Sequence, residues 1–310
     1  MKKLLIVLFT LLSSLSYAQD KINYTSEELS INKHIDGTLL LPKDIIKPNL
    51  AIIIAGSGPT DRDGNQNFLK NNSLKKLAIN LSNNNIATYR YDKRIVKQLK
   101  SNTLDKDIMF DHFVDDAKSV LEFFKKSKNY NKIYIIGHSQ GSLVGMLAAK
   151  DNADGFISIA GAGQPIDQVI IEQVNKTAPN FTEDTKRVFG ILKSGKTTTD
   201  YPIALASIFN IEIQKFMMNW MSYNPTEILK TLKIPILIVN GTKDLQVSEV
   251  EANLLKAANR NASIEIIDNM NHVLVDIEGD DLENSKSYAE TQRPLSPKLI
   301  HILVEFINIK

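Results

Sequence analysis

At 310 residues and 43% hydrophobic, the chain has room for one large domain or two modest ones and enough apolar side chains to exclude disorder. Its 37 basic and 35 acidic residues nearly cancel, which gives no electrostatic reason to expect a nucleic acid or an anionic membrane as partner. It has no cysteine, which excludes disulfides, thiolate metal sites, a cysteine nucleophile and a lipid-bearing N-terminal cysteine.

Residues 1–18 read as an export signal. Lys2 and Lys3 form the charged start, Leu4–Leu12 the apolar stretch, and Ser16-Tyr17-Ala18 a small-x-small cleavage site. The apolar stretch is short for a spanning helix, so a periplasmic or extracellular protein without a lasting membrane anchor is expected. Cleavage removes two lysines and no acids, leaving a neutral mature chain.

Residues 21–44, "KINYTSEELSINKHIDGTLLLPKD", alternate apolar and polar, with Asp36-Gly37 as a turn pair; this predicts two antiparallel strands. "NLAIIIAGSG" predicts a buried strand over 50–55 that ends in a glycine-rich loop. Residues 68–85 predict a helix, and "IATYRY" the next strand. In "FDHFVDDAKSVLEFFKKS", Phe113, Ala117, Val120, Leu121 and Phe124 share one helical face. The strand "KIYII", a helix from Gln140, and the strand "GFISIAGAG" follow. Further on come the strand "IPILIVNG", the helix "SEVEANLLKAA", the strand "SIEIID" and a closing helix "SPKLIHILVEFIN". Short apolar strands alternating with amphipathic helices give an α/β class with a mostly parallel twisted sheet covered on both faces. Residues 162–230 interrupt this rhythm with a largely helical block containing Trp220, too long for a simple crossover. It is expected to cap the carboxyl ends of the strands, where open α/β sheets bind ligands, leaving 19–161 and 231–310 as the core domain.

Gly137-His138-Ser139-Gln140-Gly141 fits G-x-S-x-G between a predicted strand and a predicted helix. A nucleophile there sits in a strained backbone, so the residues two positions either side must lack side chains. The N–H of Gln140 then points outward with the helix dipole behind it. The bland reading is a turn serine between packed elements.

A serine hydroxyl needs a base. Of His34, His112, His138, His272 and His301, only His272, in "IIDNMNHVLVD", falls in a loop at the carboxyl edge. His138 lies in the elbow, where its side chain should point away from the serine oxygen. Asp244, just past the strand "IPILIVNG", gives the chain order Ser, Asp, His; Asp268 and Asp276 are the rivals for the acid.

The loop "AGSGPTDRDGN" lacks the Gly-Lys-Ser/Thr of a phosphate loop and the third glycine of a dinucleotide fingerprint. Gly56 and Gly58 let the backbone come close, so Ser57 is expected to donate the second oxyanion N–H, with Gln140 giving the first. Asp61, Arg62 and Asp63 are candidates for ordering this loop. Arg90, Asp92 and Arg94 of "RYDKR" either join them or form an ordinary solvated cluster.

Through "GSGPTDRDGN", "YDKR", "GHSQG", "GTKDLQV" and "MNHVL" the sequence resembles the α/β-hydrolase superfamily, and within it exported bacterial esterases and serine-aminopeptidase-like (S33-type) hydrolases, from about residue 35 to the end. Where many relatives continue "YDKR" with Gly and a later Ser, this chain has Ile95-Val96-Lys97-Gln98. The resemblance implies Ser139 as nucleophile, Asp244 as acid and His272 as base. The expected activity is hydrolysis of small-molecule carboxylic esters of short to medium acyl length, with no cofactor, no metal and no nucleic-acid partner. A peptidase or acyltransferase on the same triad is the rival; it would use cap acids (Glu172, Glu183, Asp184 or Glu212) to hold a free amine. A non-enzymatic exported binding protein is a weaker rival. Phe209, Phe216, Met217, Trp220 and Met221 are the apolar cap residues expected to shape the pocket.

Overall fold

A computed structural model describes residues 23–150 and 152–309; the expected signal, residues 1–18, lies outside them. Eight strands form one sheet: β1 (Tyr24–Asn32), β2 (Ile35–Pro42), β3 (Leu50–Ile54), β4 (Ala87–Tyr91), β5 (Ile133–His138), β6 (Gly155–Ile159), β7 (Ile236–Gly241) and β8 (Ser263–Ile267). Their spatial order is β1-β2-β4-β3-β5-β6-β7-β8. β2 runs antiparallel to β1 and β4, and every later pairing is parallel. The central strands β3, β5 and β6 are buried along their whole length, as unbroken apolar runs require when helices cover both faces.

One face packs α3 (Phe110–Ser127), α4 (Gln140–Ala149), α9 (Pro225–Leu229) and α10 (Glu249–Ala258). The other packs α1 (Ser73–Asn83) and α12 (Pro297–Ile309). α3 spans the residues its periodicity predicts and buries all five predicted face residues.

The sequence reading fails at three places. The turn between β1 and β2 is Lys33-His34, not Asp36-Gly37. Gly37 sits inside β2, paired with Leu29 and Tyr91, where a Cβ would run into the Tyr89 ring. Close packing, not turn geometry, is why glycine stands there. Secondly, α1 starts five residues later than predicted. Gln66 and Leu69 form a tight bridged turn, and the Asn71 side chain accepts the N–H of Ser73 at 2.9 Å. Thirdly, no helix is predicted from the sequence at α2 (Arg94–Ser101) or α11 (Asp281–Ser287); α11 buries only Asn284 and Ser287 and has no apolar stripe to read, whereas α2 carries a short one, Ile95, Val96 and Leu99, of which only Val96 is buried.

Between β6 and β7 lie α5 (Ile166–Thr177), α6 (Thr182–Lys193), α7 (Ala206–Phe209), α8 (Gln214–Met221) and α9. Val174, Val188, Phe189, Phe209 and Met217 give this block a small core of its own. Trp220 stacks on Phe110 at 5.7 Å between ring centroids, and Asn219 and Tyr223 hydrogen-bond Asp111, fastening the block to the head of α3.

Candidate active site

The turn from β5 into α4 carries Ser139 at φ 55°, ψ −122°, a conformation that costs a non-glycine residue on the order of 1–3 kcal/mol. Its surroundings over-determine it. A Cβ at Gly137 would collide with the backbone of Gly141 and Ser142, and one at Gly141 with the carbonyls of Ile54 and Ala55. The Ser139 N–H is spent on the Ile159 carbonyl at 2.9 Å. Its hydroxyl has no hydrogen-bond partner among the described residues.

Asp244 lies three residues beyond β7. Its Oδ1 accepts the N–H groups of Gln246 (2.8 Å) and Val247 (2.9 Å), while Oδ2 accepts from His272 Nδ1 at 2.8 Å. Both side chains are almost wholly buried. With Nδ1 so engaged, Nε2 is the free ring nitrogen, the tautomer a base needs. His272 and Ser139 line one cavity of about 240 Å³, although no hydrogen bond joins hydroxyl to imidazole. Asp268 and Asp276 do not bond the imidazole.

Two supports of His272 were not read from the sequence. Asn271 accepts the N–H groups of Val273 and Val275 and donates to Asn284 and Ser287, so it pins the loop to α11. His138 bonds the His272 carbonyl through Nε2 at 2.8 Å, with the two rings 4.8 Å apart. Burial, helped by the neighbouring His272, pushes the His138 imidazole down to about 4, so at neutral pH it is an uncharged donor. The only signal for these roles is adjacency: Asn271 precedes His272 and His138 precedes Ser139.

The loop after β3 is held by charge. Asp61 accepts the N–H groups of Asp63 and Asn65, each at 2.9 Å. Arg62 pairs with Glu28 and Asp92, Asp63 with Arg90, Asp92 also with Lys100, and Arg94 forks onto Asp116 at 2.8 and 2.7 Å. Of the "RYDKR" charges, Arg90 and Asp92 therefore join the loop, whereas Arg94 ties instead to Asp116 on α3. Gly56 lies against Ser139, its would-be Cβ 3.2 Å from that of the serine, and Gly58 takes φ +68° facing Gln66. Among the described residues, the N–H groups of Ser57 and Gln140 have no partner, and both residues line the larger cavity with Ser139.

That cavity, about 370 Å³, is mostly apolar, walled by Leu143, Ile166, Val169, Ile170, Ile208 and Trp220. Of the five apolar residues expected to shape it, only Trp220 does. Phe209 and Met217 fill the insertion's core, Met221 packs against that core, and Phe216 packs on Phe110 and Phe113. The smaller cavity, on the His272 side, is lined by neutral polar groups: Thr60, Gln66, Asn71, Ser73, Gln246 and Tyr288. Among the described residues, no carboxylate lines either one. Glu172 receives Gln164, Glu183 and Asp184 pair with Lys186 and Arg187, and Glu212 is exposed.

Strand order, the buried elbow and helices on both faces define an α/β hydrolase. The chain belongs to the serine aminopeptidase S33 family, whose model matches residues 71–280. It is 27% identical to esterase EstD of Thermotoga maritima over 271 residues, 84% of this chain and 62% of EstD, so it spans less than two thirds of that relative. Among solved structures it is similar to Est1E from Butyrivibrio proteoclasticus (TM-score 0.56, 17% identity, 91% of this chain and 99% of that one). It is also similar to the Pyrococcus furiosus esterase PF2001 (TM-score 0.54, 11% identity, 93% and 91%).

Proposed function

We propose that the chain is a cofactor-independent serine hydrolase that cleaves carboxylic esters through an acyl-enzyme on Ser139. The observation that carries this is the convergence, at one sheet edge, of a strained serine, two unpartnered amides, and an imidazole whose far nitrogen is held by a buried carboxylate. The Ser139 hydroxyl attacks the acyl carbon while His272 Nε2 takes its proton. Asp244 stabilises the imidazolium without itself being protonated. The N–H groups of Ser57 and Gln140 receive the oxyanion as the C=O bond opens. Collapse of the tetrahedral species breaks the bond to the alcohol oxygen, which leaves with the proton returned by His272. Water, deprotonated by the same nitrogen, then attacks the acyl-enzyme and releases the acid.

The general acid must reach the leaving oxygen, so the cavity bearing His272 takes the alcohol and the apolar cavity takes the acyl chain. The insertion 162–230 then acts as a cap whose Ile166, Val169, Ile170 and Trp220 close over a short to medium acyl group. An aminopeptidase gains no support from the lining, since a free α-amine calls for a carboxylate and none of the described residues brings one to either cavity. A fluorophosphonate probe should label Ser139, and p-nitrophenyl butyrate should be hydrolysed by the wild type and not by Ser139→Ala. Equal labelling and turnover in the variant would refute the assignment.

A further inference from the structure

The alcohol-side cavity has a composition of its own. It holds no charged side chain among the described residues; its lining is hydroxyl, carboxamide and backbone, apart from His138 and His272, Leu69 and Val273. Several of these groups are uncommitted. The hydroxyls of Ser57 and Ser73, the carbonyl oxygen of the Gln66 amide and the Gln246 side chain have no good-geometry hydrogen-bond partner among the described residues. Gln246 approaches the buried Tyr288 hydroxyl without closing such a bond. The bridged Gln66–Leu69 turn supplies part of the wall through Gln66 and Leu69. Neutral donors and acceptors converging on a small cavity suit a ligand dense in hydroxyls and lacking charge.

We infer that the alcohol released is a neutral polyhydroxy alcohol of sugar or glycerol type, which rests on the ester-hydrolase reading of Ser139. An alkyl alcohol would leave these polar groups desolvated and unpaired, a penalty each hydroxyl of a polyol removes. The test compares esters with one acyl group: methyl butyrate, hexyl butyrate, glycerol monobutyrate and the butyrate of methyl glucoside. The expected result is a kcat/KM for at least one polyol ester ten-fold or more above hexyl butyrate, with the glucoside arm separating a ring from glycerol. Gln246→Leu should lower the polyol-to-methyl ratio about five-fold. Hexyl butyrate matching or exceeding both polyol esters overturns the inference. Failure of the probe to label Ser139 overturns the esterase reading instead.

A different observation carries a second inference. Lys93 is buried, 4% exposed, with its ammonium 5.3 Å from the centroid of the Phe113 ring, and it donates to the carbonyl of Gly56. That carbonyl and the N–H of Ser57 belong to one peptide unit, and no cis peptide occurs among the described residues. In a planar trans peptide the two point in opposite directions. The next carbonyl, that of Ser57, is held by Thr60 and Gln66 at 2.6 and 2.8 Å. We infer that Lys93 is a positioning residue that aims and polarises the Ser57 N–H toward the oxyanion. This too rests on the esterase reading.

A buried cation is also a cost, since burial pushes this ammonium down to about 7. Lys93→Met should therefore raise or preserve the melting temperature while lowering kcat ten- to hundred-fold, with KM within two-fold. It should weaken binding of a trifluoromethyl ketone transition-state analogue by a similar factor. Lys93→Gln, which keeps an N–H for the Gly56 carbonyl, should recover part of kcat. A folded Lys93→Met enzyme with kcat within two-fold of wild type overturns the inference. So does unfolding of both variants, which would make Lys93 a structural anchor alone. Labelling of wild-type Ser139 is unaffected by either outcome and tests the underlying reading separately.

Discussion

His138 offers the sharpest quantitative test. Its imidazole is 8% exposed and held near 4 in the folded chain, against an ordinary value of 6.5. Below pH 6.5 the unfolded chain binds a proton that the folded chain refuses. Stability from this group is therefore complete above the unfolded value and is lost as pH falls toward the folded one. At about 1.4 kcal/mol per unit, the two values convert to a loss of about 2 kcal/mol between pH 7 and pH 5. His138→Leu removes that proton linkage and also orphans the His272 carbonyl, which costs about 1–3 kcal/mol at pH 7. Urea unfolding of both proteins at the two pH values separates the effects. The variant should start lower and then decline about 2 kcal/mol less than wild type; because the other titrating groups are common to both, the difference isolates this residue. Equal declines would show that His138 is already charged, or not buried, and the reasoning would fail.

Asp244→Asn should lower kcat about 10⁴-fold with little change in KM, since the imidazole loses its tautomer and its counter-charge; steady-state kinetics on p-nitrophenyl butyrate would measure it, and a loss below ten-fold would point to another acid. Along a p-nitrophenyl acyl series, kcat/KM should rise about four-fold per methylene, from about 0.8 kcal/mol of burial each, until the 370 Å³ cavity fills. Trp220→Ala should move that maximum to longer chains, and an unchanged optimum would remove Trp220 from the acyl wall. Asp116→Ala leaves the Arg94 fork buried without its partner and should cost about 3–5 kcal/mol, whereas Arg94→Met with Asp116→Leu should cost much less; denaturant melts compare them. Expression in a bacterial host and mass spectrometry of the exported protein should find Gln19 at the N-terminus, and retention of Met1 would refute the signal assignment.

What could be read from the sequence was what local pattern encodes. Buried strands announce themselves as apolar runs, so β3, β5 and β7 were visible, and with them the positions of Ser139, Asp244 and the loop of His272. Chain order favours Asp244 over Asp268 and Asp276 as the acid, and it is Asp244 that the imidazole bonds. Two of the supports, Lys93 and His138, were hidden because each acts on a backbone carbonyl distant in the chain. Lys93 reaches back 37 residues to Gly56, and His138 reaches forward 134 to His272. No composition or periodicity marks a carbonyl as needing a partner. Gly37 misled for a related reason: an Asp-Gly pair signals a turn locally, but the Tyr89 ring that demands the glycine lies in another strand.

The ion-pair chain from Glu28 through Arg62 to Asp92 and Lys100 has a practical corollary. β1 is a margin of the sheet, paired on one side only, and such strands fray first as temperature rises. Arg62 belongs to the loop that carries Ser57, and its guanidinium clasps that strand through Glu28 with one arm and Asp92 with the other, so loosening the margin slackens the amide that would greet the reacting oxygen. Heat inactivation should then run ahead of global melting, and high salt, which weakens the half-exposed clasp, should widen the gap.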